Sequence, residues 1–197
     1  LQTPLSIIQN KAEQLIADEH LTQEQAEKLK VIYDESKQLS RLGSALNLIT
    51  KIENQEFTNV REVKTEPVIR EHVQKIEEIA GMRNLHLQLD LHQDHTLTID
   101  LDLLNIMLRN LFKNAIYYAS EGSTVKIYTG SQTFEISNRG EENGFSEEEL
   151  FKRFKRGNNS KSLGLGLAIV YKICRISQLK ISYHYQEGEH TFTIQPS

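Results

Sequence analysis

The sequence is short of several things that would narrow its role quickly. It has one cysteine, no long basic tract and no apolar run long enough to cross a membrane. The lone thiol, Cys174, excludes an internal disulfide and is compatible with a reducing compartment. It lies in the apolar run Ile169-Val-Tyr-Lys-Ile173-Cys174, which predicts a core thiol rather than a nucleophile. The net charge of −4 gives no support for nucleic-acid binding. A bilayer demands about 20 consecutive apolar residues, and neither such a stretch nor a signal peptide is recognisable. The first residue is Leu, so the chain is expected to be a piece of a longer protein. Its lack of a membrane segment therefore says little about the parent. What remains is ordinary for a globular protein: 197 residues, 38% hydrophobic and 25% charged, enough for one large domain or two small ones.

Residues 1–57 read as a helical hairpin. Leu5, Ile8, Ala12 and Leu15 step by threes and fours, as a core-facing helix does. The pattern breaks at Asp18-Glu-His20-Leu-Thr22, and Thr22-Gln-Glu-Gln25 then fits a capping box. A long second helix follows, with Leu29, Ile32, Ser36, Leu39, Leu42, Leu46 and Ile49 on one face. Two helices enclose almost no core, so a homodimer forming a four-helix bundle is expected. Residues 58–66 carry little periodicity and read as a linker. Residues 67–197 form a second domain that opens at Pro67, a residue tolerated in a first helical turn.

Within that domain, helices are expected at 68–80, 101–119 and 165–177. Period-two alternation marks strands in Leu85–Leu91, Val125–Ile127 and Phe134–Ile136. Ile181–Tyr185 and Thr191–Ile194 flank Glu187-Gly-Glu and predict a hairpin. The class is α+β: a dimeric helical hairpin followed by an α/β sandwich, a sheet with helices on one face.

The strongest single segment is Leu104-Asn-Ile-Met-Leu-Arg-Asn110-Leu-Phe-Lys-Asn114-Ala-Ile-Tyr-Tyr118. Asn110, Asn114 and Tyr118 recur every four residues and share one face of an otherwise apolar helix. Asn is a poor helix former, and a buried amide without partners costs roughly 1–3 kcal/mol. Such a stripe suggests a polar ligand, although surface or mutually bonded amides would also produce it. Three further segments stand beside it: Ser137-Asn138-Arg-Gly140 at a strand end, the aromatic-basic run Phe151-Lys-Arg-Phe154-Lys-Arg156, and Gly164-Leu165-Gly166-Leu at a helix start. Glycines before a helix let backbone N–H groups approach an anion, and a tightly packed turn would explain them too. The polar stretch between Glu141 and Leu163 could cover phosphates or simply be solvated.

In this order the segments resemble the ATP-binding catalytic domain of sensor histidine kinases, the Bergerat ATPase fold. Asn110-Leu-Phe-Lys-Asn114-Ala is similar to the family's N box and Ser137-Asn-Arg-Gly140 to its G1 box. Phe151-Lys-Arg-Phe154 is similar to the F box and Gly164-Leu-Gly166-Leu to the G2 box. The front end agrees: Leu1-Gln-Thr3-Pro4-Leu5 resembles the tail of the His-Glu-Leu-x-Thr-Pro-Leu box of the dimerisation helix. Leu39-Ser-Arg-Leu42 through Lys51-Ile-Glu-Asn54 resembles the end of its second helix. The likeness extends over nearly the whole chain.

The resemblance implies a two-component kinase with ATP and Mg²⁺ as cofactors, a homodimer through the hairpin, and a response regulator receiver domain as partner. It implies no nucleic-acid partner and no direct membrane contact by this piece, which would be the cytoplasmic portion of an inner-membrane sensor. Carried over by motif, Asn114 would bind Mg²⁺, and Asn110 would hold phosphates or a metal-bound water. Tyr118 would lie against the base, Asn138 would meet the adenine amino group, and Arg156 would neutralise phosphate charge. Gly140, Gly164, Leu165 and Gly166 would allow close backbone approach to the nucleotide. Other ATPases of this fold carry a Glu where Asn110 stands, so transfer to a side chain is expected over hydrolysis. The acceptor histidine would fall two positions before Leu1, outside the chain, and the seven histidines present are expected to be structural or at the surface. This piece should therefore bind ATP without phosphorylating itself at the usual place. Thr3, one turn beyond that position, would assist dephosphorylation of the regulator; as a plain alternative, Thr3-Pro4 is a helix cap and first-turn proline.

Four positions depart from the family pattern. Asn138 replaces an Asp, Ser162 a glycine and Tyr117 a basic residue, while the second G1 glycine is displaced to Gly144. These departures leave room for a non-catalytic dimeric scaffold with a degenerate pocket.

Overall fold

The computed structural model describes residues 2–17, 21–152 and 163–197. The chain divides into two compact units, Leu1–Asn54 and Gln55–Ser197.

The first unit is a hairpin of α1 (Gln2–Ile16) and α2 (Gln23–Glu53), which pack on each other. The expected capping box is present: Thr22 accepts from the Gln25 N–H, and the Gln25 side chain accepts from the Thr22 N–H. The apolar face is only half covered by its own chain. Ala12 and Ser36 are buried, while Ile8, Leu15, Ile32, Leu39 and Leu46 are 39–52% exposed.

The second unit is a two-layer α/β sandwich. Its elements are β1 (Val60–Lys64), α3 (Thr65–Met82), β2 (His86–Leu91), β3 (Thr96–Asp100), α4 (Leu101–Tyr118), β4 (Thr124–Thr129), β5 (Phe134–Arg139), α5 (Glu147–Leu150), α6 (Gly166–Ile176), β6 (Leu179–Gln186) and β7 (Glu189–Pro196). The main sheet runs β2-β4-β5-β7-β6, with β2 parallel to β4 and every other pair antiparallel. Helix α3 packs on β2 and α4, α4 on β5 and α6, and α6 on β6. The strands show the alternation this layering demands: Val125, Ile127 and Thr129 of β4 are buried, whereas Lys126 and Tyr128 are exposed.

The stretch 58–66, expected as a linker, contains β1 and the start of α3. Strand β1 pairs antiparallel with β3, which the sequence pattern missed. Each strand's regularity comes from a partner more than 30 residues away, which no local window can detect. Helix α3 starts two residues before Pro67, so the proline still sits in the first turn.

Candidate functional site

Helix α4 is the spine of the site. Asp100 caps it, accepting from the Asp102 N–H at 2.9 Å, and its second oxygen accepts from the Asn59 N–H at 3.1 Å. Leu104, Met107, Leu108, Leu111 and Phe112 are 1% exposed or less, which fixes the rotation of the helix. Asn110, Asn114 and Tyr118 therefore fall together on a half-buried stripe. The stripe spans eight residues, about 12 Å of helix.

Each end of the stripe meets another element. At the first, Asn110 donates its Nδ2–H to the Ile106 carbonyl at 2.7 Å. Its Oδ1 is thereby turned toward the start of α6, 3.0 Å from where a Cβ on Gly166 would stand. At the second, the Tyr118 carbonyl lies 2.6 Å from the position a Cβ on Gly140 would take, so only glycine lets β5 come this close. The Ser120 N–H donates to the Arg139 carbonyl at 2.7 Å beside it. Asn138 is 1% exposed on the buried face at the end of β5.

Gly164 has φ +65, a left-handed conformation that glycine adopts without strain. It leads into α6, whose N-cap residue Leu165 contributes no side-chain oxygen. The first N–H groups of α6 thus receive no cap from it and carry the positive end of the helix dipole. Leu165 itself is buried at 3% exposure, so only its backbone can serve a ligand.

The structure brings Asn110, Asn114, Tyr118, Asn138, Gly140, Gly164, Leu165 and Gly166 onto three adjoining elements. Thr3 lies exposed on α1 in the other unit. Arg156, Ser162, Phe154 and His20 lie outside the described residues. Phe151 stacks on Tyr171 of α6, ring centres 5.5 Å apart.

Fit to a divalent cation follows from the donor chemistry. Among the described residues there is no cluster of three His, Cys, Asp or Glu side chains able to hold a metal. The Asn110 amide oxygen turned toward the start of α6, with a second amide one turn on at Asn114, suits a hard cation that takes most of its charge from phosphate oxygens and keeps several waters.

Sequence reasoning missed several contributors. Arg83, just beyond α3, donates to the carbonyls of Ile116, Tyr117 (2.9 Å) and Ala119 (2.8 Å), closing the C-terminal end of α4 with a cation. His190, Tyr183 and Asn143 form a second unpredicted group beside Asn138. Neither had a local signal, because sheet register and helix packing create both. The remaining expectations about histidine and cysteine agree with the structure. His72, His95 and His190 are buried and hydrogen-bonded, while His86, His92 and His184 are exposed. Cys174 is 1% exposed, its Sγ 3.8 Å from Met107 Sδ, and burial pushes its pKa up to about 12.

A separate open concavity of about 770 Å³ includes Ser120, Ser123, Lys126, Arg139, Gly140 and Glu189 in its lining. It takes Gly140 from the candidate set and none of the Asn stripe. Within it Lys126 pairs with Glu189 at 2.9 Å, and Ser137 donates to Glu189 at 2.5 Å.

A polar helix stripe, a glycine-containing strand end and an uncapped helix start, assembled over one sheet, define a nucleotide-binding α/β sandwich. The family model for "Histidine kinase-, DNA gyrase B-, and HSP90-like ATPase" matches residues 99–197. The chain belongs to this family and is the catalytic region of a sensor histidine kinase, as the relatives of its full length agree. Sensor protein QseC of Salmonella typhi is 29% identical over 199 residues, covering 93% of this chain and 42% of the relative. The chain thus spans less than half of that protein's length. Among solved structures, the Acinetobacter baumannii histidine kinase AdeS matches with a TM-score of 0.68 at 27% identity, covering 99% of this chain and 95% of that one. The cytoplasmic segment of histidine kinase QseC shares the fold, with a TM-score of 0.60 at 20% identity over 82% of this chain and 93% of that one.

Proposed function

We propose that this chain is the cytoplasmic core of a two-component sensor histidine kinase, dimeric through its hairpin. The γ-phosphoryl group of ATP passes to a histidine of the dimerisation helix and then to an Asp of a response regulator. The observation that carries this reading is the stripe Asn110–Asn114–Tyr118, bracketed by the start of α6 at one end and by Gly140 at the other. Tyr118 and Asn138 form the base end of the pocket, and the N–H groups opening α6 face the phosphates. Asn114, with Asn110 beside it, would hold Mg²⁺, which neutralises phosphate charge when bound. Arg156 adds a cation to the same phosphates. Asn110 is an amide, without the basicity to activate water, so the protein's work is positioning and charge neutralisation rather than hydrolysis.

The hairpin supports the dimer: half of its apolar face is exposed in a single chain, and a second copy is the occupant that the four-helix arrangement calls for. Thr3, on the exposed face of α1, serves the opposing activity, in which water removes the phosphate from the regulator. No described helix is long and apolar enough to cross a membrane. QseC is named a sensor protein and its solved piece a cytoplasmic segment, and on that likeness the parent of this chain is proposed to be an inner-membrane sensor.

A second reading rests on Asn138. Where the family presents a carboxylate, this chain buries a neutral amide, which weakens base recognition and favours a dimeric scaffold with a silent pocket. ATP titration separates the two, run with Mg²⁺, with chelator, and on an Asn114→Ala variant. The kinase reading expects metal-dependent binding that the variant loses. Absence of binding at millimolar ATP would favour the scaffold.

A further inference from the structure

The β6–β7 hairpin carries a run of hydrogen bonds with a single consistent direction. His190 Nε2 lies 2.9 Å from the Glu141 carbonyl oxygen and must hold a hydrogen to donate there. Nδ1 is then a bare acceptor, and the Tyr183 hydroxyl donates to it at 2.8 Å. The Tyr183 oxygen in turn accepts from Asn143 Nδ2–H at 2.9 Å, and Asn143 Oδ1 accepts the Phe145 N–H at 2.9 Å. The Tyr183 N–H donates to Glu147 Oε1 at 3.2 Å, which adds another tie. Tyr185 flanks the imidazole, ring centres 4.7 Å apart, and its hydroxyl reaches the Gly140 carbonyl at 3.5 Å.

These contacts fasten residues 140–147 to the sheet at four points. That segment begins where Asn138-Arg139-Gly140 ends, and His190 is the cross-strand partner of Asn138 in β7. A Cβ on Gly140 would stand 3.1 Å from the His190 ring, so the imidazole also walls the strand end. His190 is 6% exposed, and burial holds its pKa below the ordinary value, keeping the ring neutral at pH 7.

We propose that His190 is a positioning residue for nucleotide binding, its Nε2–H tautomer set by the Glu141 carbonyl and its ring held by the Tyr183 hydroxyl. Together they hold segment 140–147 so that the pocket end around Asn138 is preformed. The inference rests on the ATP-binding reading above. A pocket wall already fixed spares the ordering cost that a loose segment would add on binding. Neither residue needs to touch the nucleotide.

The test is ATP titration of the 197-residue chain and its His190→Ala, His190→Gln and Tyr183→Phe variants, with imidazole ¹⁵N NMR on His190. The wild-type ring should show the Nε2–H tautomer. His190→Ala should bind ATP about tenfold more weakly, the equivalent of one lost hydrogen bond. His190→Gln, whose amide N–H can still reach the Glu141 carbonyl, should recover most of the affinity. Tyr183→Phe preserves the ring packing but removes the hydrogen bond to Nδ1 and the tie to Asn143, so it should give an intermediate loss with the Nε2–H tautomer retained, which keeps the test decisive even if His190→Ala folds poorly. Unchanged affinity in Tyr183→Phe would overturn the inference. So would equal losses in the Ala and Gln variants, the mark of a purely structural side chain. Those outcomes leave the ATP reading standing. A wild-type chain that binds no ATP would instead overturn that reading, and the positioning role with it.

Discussion

In α2 the apolar series alternates between cover and exposure: Ser36 is 5% exposed, while Ile32 and Leu39 on either side are 50% and 52%. In α4 the series Leu104, Met107, Leu108, Leu111 and Phe112 is sealed at 1% or less. Both helices show the same three-and-four spacing of apolar residues, although α4 is the more apolar of the two. They differ in what the chain supplies around them. Helix α4 lies between α3 and α6 over a five-stranded sheet, whereas α2 packs chiefly on α1. The same apolar spacing thus accompanies a complete core in one unit and a half-built interface in the other.

Substitutions can break that contrast. The largest expected effect is from Leu39→Glu, which costs a lone hairpin little but places a charge in the proposed bundle seam. Sedimentation should show the dimer converted to monomer, with ATP binding in the second unit retained; a surviving dimer would mean that this face is not the seam. Leu111→Ala should act in the opposite way, lowering the stability of the sheet unit by about 3 kcal/mol in urea unfolding through the cavity it leaves. Its effect on dimerisation should be negligible.

Acid should also distinguish the two units. Burial lowers the pKa values of both His95 and His190, the nearby His92 adding to the effect at His95. The folded form therefore binds these protons less readily than the unfolded form. Their contribution is intact above the unfolded value of about 6.5 and is lost as pH falls through it toward the folded pKa. Glu189, held below the ordinary value by the Ser137 hydroxyl and then by Lys126, extends the loss to lower pH. Melting followed from pH 7.5 to 5 should lower the transition of the sheet unit more than that of the hairpin, and His95→Gln should flatten part of the slope. The smallest effect is expected from Thr22→Ala, about 1 kcal/mol from the lost α2 cap, read in the helical signal of the hairpin alone.

Legibility followed the range of the interactions. The Thr22–Gln25 capping box, the Asn110–Asn114–Tyr118 stripe and the hairpin around Glu187-Gly188 were all readable, because each is decided within a few residues. The β1–β3 ladder was not, since Val60 and its partner Asp100 are 40 positions apart. Gly140 was legible as a special residue, but its reason was not: the approach of the Tyr118 carbonyl belongs to the packing of α4 on β5. His190 read as a structural or surface histidine, and only the register of β5, β7 and β6 puts it between Asn138 and Tyr185, in reach of the Tyr183 hydroxyl.

By itself, then, the sequence determined the amphipathic helices, their caps, the alternating strands and the order of the four motifs, since these express backbone geometry and local side-chain chemistry. Only the tertiary structure decided which polar groups meet. Arg83 reaches the end of α4, Asn110 faces Gly166, and Tyr183 bonds the His190 ring, through contacts between residues 7 to 56 positions apart. Such contacts cost chain entropy that only the assembled core repays, so no local stretch carries their record.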